Sequence, residues 1–162
     1  MTSGGRVLRS YLSAPWLPPG GTAEVALAAP DALTPEPTCI VRLMATRRHQ
    51  VLVVPRQDGR GLDIPSVIVG DGLVEDCVTG LLMCAVGALR PAWLLGYVRN
   101  IVGQPSATYA WPVPESHFAV WHCAVPADCQ GQGQWLHRTA AQAQLSDRHW
   151  WPLAAHVLRL GT

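Results

Sequence analysis

The chain contains no lysine, so each of its 12 fixed basic side chains is an arginine. Schiff-base catalysis by a lysine of this chain is thereby excluded. Charge is sparse altogether, with 14% Asp, Glu, Lys and Arg and a formal net charge of +1. So even a balance argues against nucleic acid as the main partner. Although 49% of the residues are hydrophobic, they are interrupted by 15 glycines and 14 prolines. No run approaches the roughly 18 uninterrupted apolar residues of a membrane-spanning helix, and no membrane partner is expected. Arg6 and Arg9 have no apolar block behind them, so no secretory leader is expected either. Cys39, Cys77, Cys84, Cys123 and Cys129 form no C-x-x-C pair and none of the paired spacings of a zinc site. An odd number of unpatterned cysteines reads as reduced, mostly buried thiols in a cytoplasmic protein.

What is present suits one domain with a full hydrophobic core. Residues 1–37 are rich in Pro, Gly and Ala and read as an arm, docked through Tyr11, Trp16 and Leu17, with a short helix from Thr22 to Ala29 ahead of Pro30. Residues 38–162 read as the folded domain. Strands are predicted from Cys39 to Met44, Gln50 to Val54, Trp93 to Val102 and His117 to Val125, each rich in branched or aromatic residues. Helices are predicted from about Leu73 to Leu89, from Thr139, and over Trp150 to Leu160. Gln104 to Pro114 is a long loop. Strands, a helix, more strands and closing helices make an α+β, α/β/α sandwich with a mixed sheet.

The central stretch, LDIPSVIVGDGLVEDCVTGLLMCAVGA from Leu62 to Ala88, passes from a strand end through a Pro turn and a glycine-bearing loop into an apolar helix. It resembles the Nudix box. The flanking words agree from about Thr38 to Leu160: Val51 to Arg56 resembles the strand ahead of the box, Ile64-Pro65-Ser66 stands where Leu-Pro-Gly is usual, and Leu95 to Arg99 resembles the strand after it. Trp135-Leu136 and the Ala/Gln-rich segment behind it resemble the family's closing helix. The resemblance implies the Nudix fold and a homodimer, as many members form. Its box reads G, five residues, E, seven residues, R-E, apolar, any, E-E, any, G. On a helix the acidic positions share one face and converge on magnesium beside a diphosphate. With Gly87 as the closing glycine, the R-E positions here are Gly80 and Leu81 and the E-E positions are Cys84 and Ala85. None is a ligand, so neither metal nor cofactor is expected. Asp71, Glu75 and Asp76 remain at the helix entrance, where acidic residues also serve the helix dipole.

The rebuilt face carries Cys77, Gly80, Leu81, Cys84 and Ala88 at helical spacing. By analogy with the fold, Tyr109, Trp111 and Trp121 flank it, either as an aromatic pocket for a small, largely apolar ligand or as plain core. Cys77, Leu81, Cys84, Tyr109, Trp111 and Trp121 are therefore candidate ligand-binding residues. His117, His122, Asp71 and Glu75 are candidate acid–base groups, histidine being the side chain that titrates near neutrality. Period two points His117 and His122 to opposite faces of one strand, so only one faces a given pocket. His137, His149 and His156 read as surface or helix-end charge. Three functions follow. The first is metal-independent isomerisation, cyclisation or hydrolysis of a small apolar metabolite. The second is a non-catalytic module binding a metabolite or protein. The third is a nucleoside-diphosphate-type hydrolase with displaced metal ligands.

Overall fold

The computed structural model describes residues 5–160, so the first four residues of the expected arm and the last two of the expected domain lie outside the described residues. One mixed sheet forms the middle layer. Its strands are β1 (Arg6–Tyr11), β2 (Thr22–Leu27), β3 (Thr38–Arg47), β4 (Gln50–Pro55), β5 (Leu62–Asp63), β6 (Ser66–Ile68), β7 (Trp93–Ile101), β8 (Glu115–Ala124) and β9 (Gln134–His137). The order is β1-β2-β7-β8-β3-β4-β5, with β6 pairing β3 and β9 pairing β4. β3 and β8 run parallel, from Thr38 opposite His117 to Thr46 opposite Ala124. The other pairs are antiparallel.

Alternation along the central strands sorts side chains to two faces. On one face Val41, Leu43, Ala45 and Cys123 pack with Val78, Leu82, Ala85 and Val86. These last belong to α1 (Val74–Leu81) and the π-helical turn Leu82–Val86 that continues it. On the other face Met44, Val98, Phe118 and Val120 pack with Leu145 of α2 (Arg138–Leu145) and Leu153 and Leu158 of α3 (Trp151–Leu160), with Trp150 fully buried between them. This is the expected α+β sandwich, helices on both sides of a mixed sheet.

The N-terminal region departs from expectation. Thr22 to Leu27 is a strand, not a helix, paired along its whole length with β7. Ala23 and Val25 are buried while Thr22 and Glu24 are half-exposed, and that two-residue alternation prevails because so short a helix is marginal without tertiary packing. β1 adds to β2 at the sheet edge, so the composition boundary at residue 37 is not a gap in the sheet. Docking does run through Tyr11, Trp16 and Leu17, which pack on the α2/α3 side, and the Trp16 indole donates to Asn100 Oδ1 at 2.9 Å. The predicted central helix ends at Gly87, whose φ of 83° is the left-handed conformation of a C-terminal cap and whose N–H reaches the Leu82 carbonyl.

Two glycines give opposite tests of this packing. A Cβ on Gly96 would lie 2.2 Å from the Ala26 carbonyl oxygen and 2.6 Å from Leu153, wedging β2 and α3 off β7. On the exposed side of α1, a Cβ on Gly80 would meet nothing within 4 Å. In urea unfolding, Gly96→Ala is expected to lower stability by about 1–3 kcal/mol or more. Gly80→Ala is expected to raise it by up to about 1 kcal/mol. Equal effects at the two positions would refute the packing described.

Candidate functional site

The helix face at the heart of the sequence reading is a packing surface along part of its length. Cys77 and Leu81 are half-buried and join the cluster under α1, together with Trp121. Cys84 and Gly80 are exposed on the outer side. The π-turn is tied down from the loop after β8: Gln132 N–H donates to the Ala85 carbonyl at 2.8 Å, and Cys129 Sγ lies 3.9 Å from the Val86 carbonyl oxygen. Magnesium takes oxygen ligands, and the positions that the resemblance would assign to acidic ligands, Leu81, Cys84 and Ala85, offer no oxygen donor in their side chains. They do not fit the ion. Among the described residues no three His, Cys, Asp or Glu side chains group as a metal site.

Asp71 and Glu75 are exposed at the entrance of α1, and neither caps it: Leu73 holds the N-cap position without a side-chain bond. Glu75 lines a cleft between Gly72–Val74 and the Thr34–Thr38 segment. Tyr109 and Trp111 lie on the opposite side of the sheet from α1. Trp111 meets Phe118 edge-on at 5.6 Å, and the Tyr109 hydroxyl is 3.3 Å from Ser116 Oγ. The loop carrying them crosses the α2/α3 face, so they cannot wall a pocket with Cys77 and Leu81.

The two β8 histidines part as their spacing requires. His117 shares the α1 face with Tyr97, ring centroids 5.6 Å apart, and its Nδ1 lies 3.0 Å from the Pro37 carbonyl oxygen. Burial lowers its pKa, opposed by the Pro37 hydrogen bond and the Glu115 charge. Glu115 is held by Arg99, which also pairs with Glu24 at 3.4 Å. His122 points to the other face. It is buried, its Nε2 is 2.8 Å from Thr46 Oγ1, and Trp93 packs edge-on against it at 4.6 Å. Burial lowers its pKa to about 4, so the ring is neutral at physiological pH.

His122 lines an open-sided groove of about 530 Å³ between α3 and the sheet. Leu27, Leu94, Leu95 and Val157 supply apolar wall, and Thr46, Arg48, His122 and His156 supply the polar groups. Among the described residues no carboxylate lines it. Of its polar residues the sequence reading singled out only His122. Thr46 lies near the end of β3, Arg48 in the turn that follows it, Trp93 opens β7, and His156 on α3 faces the groove rather than serving as helix-end charge. No local motif announces them, because strand pairing and the seat of α3 bring them together.

A second cleft of about 590 Å³ lies where β6 leaves β3 and is lined by Arg42, Arg56, Asp58, Asp63 and Ser66. Its charges already answer one another: Arg42 faces Asp63 at 3.3 Å, and Arg56 is forked onto Asp58. Behind it His149 is no surface charge. Its Nδ1 is enclosed without a partner, and burial, with Arg42, Arg148 and Arg56 nearby, lowers its pKa to about 3.

No protein-family model matches this chain, and no curated protein matches it. Among solved structures it is similar to a mutant form of the Bacillus subtilis pyrophosphohydrolase BsRppH, at 12% identity and a TM-score of 0.58, over 94% of this chain and 96% of that one. At that identity the likeness is one of fold, and it places this chain's α+β architecture with the Nudix-type sandwich.

Proposed function

We propose that this protein is a cytoplasmic Nudix-fold protein that has given up magnesium-dependent diphosphate hydrolysis and performs metal-independent acid–base chemistry on a small, largely apolar metabolite. The observation that carries this reading is the His122–Thr46 pair, 2.8 Å apart, in a groove with apolar walls and, among the described residues, no carboxylate lining it. A neutral imidazole accepts a proton at one nitrogen and donates from the other. With one nitrogen on Thr46, the ring has a fixed orientation, and the second can take a proton from the substrate and return it elsewhere. Isomerisation or cyclisation needs no more than that, since the proton taken is the proton given back. His156 lines the same groove and is a second ring for such a transfer. Because the groove is open on one side, the ligand itself completes the exclusion of water. His117, Asp71 and Glu75 lie outside this groove and are given no part in the step.

A non-catalytic metabolite-binding module is the second reading. It is favoured by what surrounds His122: burial alone accounts for its lowered pKa, and no carboxylate acts on it to orient the ring or stabilise its cation. Turnover of the ligand separates the two.

Mass spectrometry of small molecules released on denaturing the purified protein is expected to yield a mostly apolar compound. Incubated with fresh protein, it is expected to be converted in the presence of EDTA, and His122→Gln is expected to slow that conversion by about 10²-fold or more. Binding without conversion would leave the module. Activity abolished by EDTA and restored by magnesium would instead revive a diphosphate hydrolase.

Neutral burial of His122 also sets a pH dependence. The unfolded imidazole titrates near its ordinary value of about 6.5 and the folded one near 4. Between these values the unfolded state binds the extra proton, so this contribution to stability is complete above pH 6.5 and is lost as pH falls toward 4. Each unit of that gap is worth about 1.4 kcal/mol. His149, held near 3, acts in the same direction. Urea midpoints are therefore expected to fall steadily from pH 7 to 5, and to fall less steeply in His122→Gln. An identical slope in the variant would show that His122 is not held neutral.

A further inference from the structure

We propose that the ligand of the His122 groove carries an anionic head, a carboxylate or phosphate monoester on an apolar body, and that Arg48 receives it. This rests on the groove's being the functional site, as proposed above, and adds the chemical class of what binds there.

The first support is conformational. β3 and β4 are joined by a two-residue turn, with Arg47 opposite Gln50 and only Arg48 and His49 between them. Arg48 has a φ of 50°, and among the described residues it is the only non-glycine at positive φ. Asn, Asp or Gly usually takes that place in a tight hairpin, because a bulky side chain there is strained. A strained residue kept in a turn points to a role for its side chain. The second support is electrostatic. The neighbouring Arg47 is fully engaged: it bonds Gln50 and the Cys129 carbonyl, and its guanidinium lies 4.4 Å over the Trp135 ring. Arg48, by contrast, has no ion-pair or hydrogen-bond partner among the described residues, and it lines the groove with Thr46, His122 and His156. A guanidinium lining an apolar trough that no carboxylate of the described residues lines has no counter-charge there. Its fork of N–H donors matches a carboxylate or phosphate. The apolar body of such a ligand would lie along Leu94, Leu95 and Val157, with the head at Arg48.

The test is calorimetric titration of the full chain with octanoate, octyl phosphate and 1-octanol, which share one eight-carbon body. At least one of the two anions is expected to bind about tenfold more tightly than octanol. In Arg48→Gln that preference is expected to shrink to within about twofold, with octanol binding unchanged. The two anions tell which head is preferred. Arg48→Gly supplies the control for folding: glycine accepts positive φ without strain, so this variant is expected to unfold at the same or a higher temperature while losing the anion preference. Octanol binding as tightly as both anions would overturn the proposal and leave the groove standing. So would an anion preference that survives in Arg48→Gln. If none of the three binds, the groove reading falls with the proposal.

Discussion

The parallel pairing of β3 with β8 is the constraint on which the remaining structure depends. These two strands are ten residues each, and nearly all of both is buried or half-buried. A parallel pair in mid-sheet is covered on both faces, so its side chains need apolar partners above and below. α1 answers Val41, Leu43, Ala45 and Cys123, while α2 and α3 answer Met44, Phe118 and Val120. The same register decides where the chemistry goes. Met44 stands opposite His122, so the imidazole shares the α3 side with Thr46, one place further along that face of β3. A slip of one residue would send His122 beneath α1 and break its bond to Thr46.

One half-buried carboxylate holds the third layer in place. Asp63 faces the Arg42 guanidinium at 3.3 Å, accepts the Trp150 indole N–H at 2.9 Å and accepts the Ile64 amide at 2.8 Å. A charge that close to the core is tolerated only when its partners are complete, and removing one of them is costly. Arg148 adds hydrogen bonds to the Arg60 and Leu62 carbonyls. Together these contacts fasten the start of α3 to β5 and β3. His156 and Val157 follow on the same helix, so one wall of the groove is positioned by a polar network at the far end of the helix that carries it.

Much of this fold was legible in local sequence. The strands around Ile40, Val53, Val98 and Val120 are branched or aromatic runs between turn residues, and the central helix is an apolar stretch that stops at Gly87. β2 was not legible, because Thr-Ala-Glu-Val-Ala-Leu is composed like a helix and only its pairing with β7 makes it a strand. The candidate site was legible in one residue. His122 stands out as an ionisable group in an apolar strand, but Thr46, Arg48, Trp93 and His156 come from β3, the turn after it, β7 and α3, and converge through a crossover pairing no local period encodes. The aromatic loop misled for the same reason: Tyr109 and Trp111 have the composition of a pocket wall, yet the loop's path takes them to Ser116 and Phe118.

The central helix is held in the fold by apolar packing and backbone hydrogen bonds. Val78, Leu82, Ala85 and Val86 are anchored in the sheet, Gly87 turns the chain out, and Gln132 occupies the Ala85 carbonyl. Carboxylates crowded on one face of a helix repel one another unless a cation answers them. Gly80 and Cys84 on the exposed side of this helix carry no charge, so no such repulsion arises there. The sheet below it has two faces, and the one covered by α3 carries a neutral histidine, a hydroxyl and an unanswered guanidinium. The groove and the central helix thus lie on opposite sides of the same two strands, within one sandwich.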